Sequence, residues 1–288
     1  MFQPVSAHSP YLSLGGRGPA AHFYHANGFP IGVYQPLLRQ LLPHFSLTAL
    51  PMRPTWPDAG KPPQYHGWML YVDDLIEQIE RHHNEPIIGI GHSMGASCTA
   101  LAAYRRPDLF SQLVLIEPVT VATWQSTLLR YAPNSLKQRH PLVKSTLAKR
   151  HHWPTPQQFV HELSRKRPFQ HIEADTLEAF ADHGVRPTSS GNVELVFDKI
   201  WEAANYSEAR NIMPVLTDLP VPTVAIRGKP SAFFSDTTWQ QWQRNASNVL
   251  FKQNQQHGHL MPLENAKATA ELIRTGVAEL SQRNLVIS

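Results

Sequence analysis

The chain is short of cysteine, of charge and of uninterrupted apolar sequence, and each shortage narrows what it can be. One cysteine, Cys98, stands among 288 residues, so no internal disulfide forms and the expected role of this thiol is a small buried filler. Charged residues make up 17% and hydrophobic residues 42%, the balance of an ordinary soluble globular protein and not of a disordered or membrane-spanning one. No run approaches the roughly 18 apolar residues of a membrane span. The stretch Met1-Phe2-Gln3-Pro4 has no basic region leading into an apolar run, so neither secretion nor a membrane partner is expected, and a cytoplasmic location is. The net charge of +4 comes without a dense Lys/Arg cluster interleaved with aromatics, which argues against a nucleic-acid partner. Also missing are a glycine-rich phosphate loop, a dinucleotide fingerprint and Cys/His metal spacing, so no cofactor and no metal are expected. Sixteen histidines are present; the adjacent pairs His82-His83 and His151-His152 cannot share one helix face and read as surface polar residues.

What is present is organised around Ile87-Ile88-Gly89-Ile90-Gly91-His92-Ser93-Met94-Gly95-Ala96-Ser97. A buried strand stops abruptly, one serine sits in a strained turn, and a helix starts at once. This is the Gly-x-Ser-x-Gly elbow: Gly91 and Gly95 leave room for backbones to pass, while Ala96, Ser97 and Thr99 keep the helix close to the sheet. Around it strands and helices alternate. Strands are predicted at Tyr11–Leu14, Ala21–Tyr24, Phe45–Leu50, Pro86–Ile90 and Gln112–Ile116. Helices are predicted at Tyr34–Leu42, from Trp68 through Ile79 with Asp73, Asp74, Glu77, Gln78 and Glu80 opposite its apolar stripe, and at Met94–Tyr104. Pro51 to Pro63 holds five prolines and is an irregular loop. Alternation with short links is the signature of a mostly parallel α/β sheet covered on both faces.

The rhythm stops after Val119 and resumes at Val221–Ile226, followed by a helix at Thr237–Asn245, a strand at Asn248–Gln253 and a terminal helix from Pro262 to Gln282. Residues 1–119 and 220–288 therefore read as the core, and 120–219 as an inserted, mostly helical cap. Between Val121 and His171 nine Lys/Arg face one acidic residue, whereas Ile172 to Asp218 holds three Lys/Arg and nine acidic residues. The halves read as solvated helices that pair with each other.

The chain resembles an α/β-hydrolase of the core-plus-cap type. The resemblance is carried by the Asn27-Gly28-Phe29 loop after an early strand, the Gly-His-Ser-Met-Gly elbow, the insertion after the next strand, and Gly258-His259-Leu260-Met261-Pro262-Leu263-Glu264 near the C-terminus. It implies Ser93 as nucleophile and His259, not His257, as its base. The acid is open. The family's usual aspartate would follow the strand at Val221–Ile226, but Arg227-Gly228-Lys229-Pro230-Ser231 has no carboxylate. Glu117, just after the strand beside the nucleophile's, takes the place used by some relatives; Asp236 is the second candidate. The backbone N–H groups of Phe29 and Met94 are the implied oxyanion donors, with Asn27 adding its amide or holding the loop. Arg53 and Trp56 either line the site or lock their loop. A serine nucleophile disfavours dehalogenase and epoxide-hydrolase chemistry. It leaves hydrolysis of a small-molecule carboxylic ester, with thioesterase, acyltransferase or C–C hydrolase chemistry, or a non-catalytic binding protein on this scaffold, as alternatives.

Overall fold

The computed structural model describes residues 3–4, 10–56, 58–63, 67–231 and 233–287; Met1, Phe2 and the Pro57 of the proline-rich loop lie outside them. An eight-stranded sheet has the order β1 (Gln3–Pro4), β2 (Leu12–Gly16), β4 (Ser46–Ala49), β3 (Ala20–Tyr24), β5 (Ile87–His92), β6 (Phe110–Ile116), β10 (Thr223–Gly228), β11 (Val249–Asn254). From β4 to β11 every pairing is parallel, and only β1–β2 and β2–β4 are antiparallel.

Alternating side chains of the central strands feed two cores, as the period of two requires. Ile88 and Ile90 of β5 and Val114 and Ile116 of β6 join α1 (Gln35–Leu41) and α13 (Ala266–Ile287) on one face. Leu113 and Leu115 join α2 (Met69–His82), α3 (Met94–Arg105) and α11 (Asp236–Asn245) on the other. The predicted elements of this frame are present within a residue or two, except that α2 runs on to His82 and the terminal helix is broken at Asn265 into α12 (Met261–Glu264) and α13, which runs on to Ile287.

The chain leaves β3 for β4 on one side and returns to β5 on the other, so the strand order reverses at β3. The ends of β3 and β5 flank this switch point, the place where open α/β sheets bind ligands.

The segment from β6 to β10 contains α4 (Thr123–Tyr131), α5 (Asn134–Lys137), α6 (Pro141–Leu147), α7 (Pro156–Ser164), α8 (Ala174–His183), α9 (Lys199–Ser207) and α10 (Met213–Thr217). It also carries a small antiparallel sheet that the periodicity did not reveal, β7 (His152–Trp153) and β8 (Val185–Pro187) flanking β9 (Val193–Leu195). Strands of two or three residues are too short to show alternation. The divided charge of the segment is used internally: Lys137 pairs with Glu208 at 3.2 Å and Lys149 with Glu202.

Two polar assignments change. Asp74 and Gln78 are buried, not opposite the core face; for Asp74 the reason is Arg53 of the proline-rich loop, which reaches over α2 and holds its carboxylate through Nε and Nη2 at 2.7 and 2.6 Å. Arg53 also lies over the Trp56 ring, whose Nε1–H donates to Pro51 O; both residues lock their loop. His83 is half-buried, its ring nitrogen 2.9 Å from the Tyr11 hydroxyl.

Candidate active site

Ser93 follows β5 directly, with φ 56° and ψ −123°. A non-glycine residue at positive φ is costly unless the surroundings impose it. Here they do. Its N–H donates to Ile116 O at 2.9 Å on one side, and its carbonyl accepts Ser97 N–H of the first turn of α3 at 3.1 Å on the other. The two motif glycines carry the expected packing: a Cβ on Gly91 would lie 2.5 Å from Ala96 Cα, and one on Gly95 2.2 Å from Tyr24 O. Met94 opens α3, so its N–H belongs to the first turn that has no intrahelical acceptor.

Glu117 is the second described non-glycine residue at positive φ, 49°. Its N–H continues the ladder to Ile226 O at 2.8 Å. Its carboxylate is fully buried and receives three donors: Gly228 N–H on Oε1 at 2.7 Å, and Ser231 Oγ–H at 2.5 Å and His259 Nδ1 at 3.0 Å on Oε2. The stretch without an aspartate thus supplies the hydrogen bonds that hold a carboxylate arriving from the neighbouring strand.

A carboxylate only accepts, so Nδ1 of His259 carries the hydrogen and Nε2 presents its lone pair. Nε2 lies 3.0 Å from Ser93 Oγ. The structure brings Ser93, His259 and Glu117 into one hydrogen-bonded line, with Phe233 against the imidazole at 4.2 Å between ring centroids. His257 is elsewhere, 3.6 Å from Glu264. Asp236 is not on this line; it is exposed and pairs with Arg227 at 2.7 Å.

The His259 loop is tied to the elbow by a residue that sequence reasoning passed over. His92 Nε2 lies 2.8 Å from His259 O, which can only accept, so Nε2 carries the hydrogen. Nδ1 then accepts from the Tyr34 hydroxyl at 2.7 Å, and that hydroxyl accepts Ala26 N–H at 3.2 Å. Burial first, and then the nearby His259, hold His92 well below the ordinary imidazole range, consistent with this neutral form. The signal was the histidine inside the elbow motif, but only the fold brings Tyr34 to it.

Asn27 holds its loop. Its Nδ2 donates to Glu202 O at 3.1 Å and its Oδ1 accepts from Asn205 Nδ2 at 2.8 Å, both on α9. Asn205 Oδ1 also accepts the Tyr71 hydroxyl at 2.8 Å, and its backbone carbonyl accepts the Trp68 indole N–H at 3.2 Å, so one buried residue fastens the inserted segment to the loop after β3 and to the start of α2. Phe29 N–H closes a turn onto Ala26 O at 3.3 Å, a long bond. The Phe29 ring borders a cavity of about 100 Å³ walled by Trp153, Phe159, Phe169 and Phe180.

A strained serine at the end of a central parallel strand and a buried acid–histidine–serine line are the features of α/β hydrolases, and comparison with known proteins gives the same class. The model of the alpha/beta hydrolase family matches residues 15–272, and the chain belongs to that family. It is 25% identical over 224 residues, 76% of this chain and 74% of the other, to a 2-(acetamidomethylene)succinate hydrolase from Mesorhizobium japonicum. A crystal structure of E-2-(acetamidomethylene)succinate hydrolase superposes with a TM-score of 0.73 at 20% identity, covering 93% of this chain and 94% of that one; at that identity the likeness concerns the fold. A type I acyl-CoA thioesterase from Penicillium brevicompactum is 29% identical over 110 residues, 33% of this chain and 25% of that protein.

Proposed function

We propose that the protein is a serine hydrolase that cleaves a small or medium-chain carboxylic ester through an acyl-enzyme on Ser93. The observation that carries this reading is the line from Ser93 Oγ through His259 to Glu117, with both bonds at 3.0 Å. As Oγ attacks the ester carbonyl, His259 Nε2 takes its proton; Glu117 orients the imidazole and stabilises its positive charge. The N–H groups of Met94 and Phe29 receive the oxyanion, Phe29 giving up its long turn bond to do so. The imidazolium then protonates the leaving alcohol. Water, deprotonated by the same Nε2, releases the acid and restores Ser93. The cycle needs no cofactor.

In this reading residues 120–219 cap the site, and the aromatic cavity beside Phe29 favours an apolar acyl group on a soluble ester over a membrane or nucleic-acid substrate. A lone buried cysteine suits a reducing cytoplasm. The missing aspartate is the motive for reading a binding protein without activity; the Glu117 carboxylate 3.0 Å from His259 Nδ1 supports the hydrolase instead. Ser93→Ala should abolish both hydrolysis of a chromogenic short-chain ester and labelling by a fluorophosphonate; a variant that retains either would sink the proposal. Thioester cleavage by the same residues is the second reading, favoured by the thioesterase relative. The ratio of kcat/KM on matched oxygen and sulfur esters separates the two.

A further inference from the structure

The pair His151-His152 has no helical partner spacing, yet the fold supplies it with a third donor. β7 and β9 run antiparallel with His152 opposite Glu194 and Trp153 opposite Val193. Alternation then divides the small sheet. Trp153, Val193 and Val185 are buried, while His152, Glu194 and Arg186, the residue opposite Glu194 on β8, lie on the outer face. His151 precedes β7 and is held beside β9 by Leu195 N–H, which donates to its carbonyl at 3.2 Å.

Glu194 Oε2 lies 3.9 Å from His151 Nε2 and 4.0 Å from His152 Nδ1. The three donor atoms fall within 4.8 Å of one another, and neither imidazole is close enough to the carboxylate for a hydrogen bond. Arg186 Nε donates to the other oxygen, Oε1, at 2.9 Å, which fixes the carboxylate and leaves Oε2 turned toward the two rings.

We propose that His151, His152 and Glu194 form a binding site for a first-row transition dication, of which zinc is the probe. Two imidazoles and one carboxylate are a zinc donor set with a position left for water, and they suit this class of ion better than magnesium or calcium, which take oxygen ligands. Around a tetrahedral ion with ligand bonds of about 2.0–2.2 Å, donors stand roughly 3.3–3.5 Å apart. Side-chain rotation of the exposed His152 and half-buried His151 closes the remaining gap without moving the strands. An outer partner on the ligating carboxylate, here Arg186, is usual for such sites; its charge, with that of Arg150 on the His152 carbonyl, keeps the expected affinity at about micromolar. The inner face of the same sheet contributes Trp153 and Leu195 to the cavity beside Phe29. An ion clamping β7 to β9 therefore braces one wall of that cavity without touching Ser93.

The test is calorimetric titration of the full chain, free of any histidine tag and of metal, with zinc chloride. One saturable site is expected, weakened at least about tenfold by His152→Ala and by Glu194→Gln and unchanged by His82→Ala, which alters the other histidine pair. Cobalt should give the absorption of a low-symmetry site in the parent protein only. Equal binding by parent and variants, loss of binding in His82→Ala, or no saturation by about 100 µM zinc overturns the proposal. Should a variant fold poorly, the cobalt spectrum of the parent decides: an octahedral, water-like spectrum overturns it.

Discussion

The side chain on which the proposed chemistry turns is Glu117, and its surroundings explain why a glutamate serves. It leaves the end of β6 at positive φ, one strand away from the usual position of the acid, and must cross to His259. The longer side chain spans that gap, and Gly228 N–H and Ser231 Oγ–H fix its far end. Replacing it by glutamine keeps the shape but offers a donor where Nδ1–H also donates, so the imidazole is held in the wrong tautomer. Glu117→Gln should lower kcat by about 10²–10⁴-fold with little change in KM, whereas Asp236→Asn, which weakens the pair between the exposed Asp236 and the buried Arg227 away from the Ser93–His259–Glu117 line, should leave kcat within about twofold. Steady-state kinetics on one ester measures both; comparable losses would return Asp236 to consideration. Ser93 and His259 were legible as residues because their motifs state a local geometry. Ser231 was not, since its meaning depends on a carboxylate that approaches from 114 positions earlier in the chain.

Between elements, the relay Ala26 N–H, Tyr34 hydroxyl, His92 and His259 carbonyl joins the loop after β3, the start of α1, the end of β5 and the loop before α12. Tyr34 and His92 are both fully buried, so removing the hydroxyl strands a donor and an acceptor away from water. Tyr34→Phe should cost about 1–3 kcal/mol of stability and reduce kcat more than it changes KM, because the backbone carrying His259 loses its brace. Urea denaturation and kinetics together test this: unchanged stability would mean that water replaces the hydroxyl. The elements themselves were legible wherever periodicity was long, as in α2. Asp74 was misplaced because Arg53, from a loop with no periodicity, supplies the partner that permits a carboxylate to be buried.

For the molecule as a whole, buried histidines set the response to acid. Burial, reinforced by the neighbouring His83 and His25, lowers His22 to about 3, and burial lowers His25 to about 4; His92 is shifted in the same direction. The folded protein keeps these rings neutral, while the unfolded chain binds protons below about pH 6.5, so stability is complete above that value and falls as pH drops toward the folded values. The slope is at most about 1.4 kcal/mol per pH unit for each histidine. Denaturation midpoints at pH 7.5 and 5.5 should differ accordingly, and a flat profile would show that these rings gain protons without unfolding.

Local geometry was written in the sequence. The elbow, the alternation of strands and helices, the interruption after Val119 and the histidine before the last helix follow from residue types at short spacing, where sterics and periodicity act within a few residues. The tertiary structure decided what reaches what. It turned an empty acid position into the cradle of Glu117, set Asn205 at the joint between the inserted segment and the core, and placed Glu194 opposite His152. These are contacts between distant strands and helices, fixed by sheet order and register, and no local pattern encodes them.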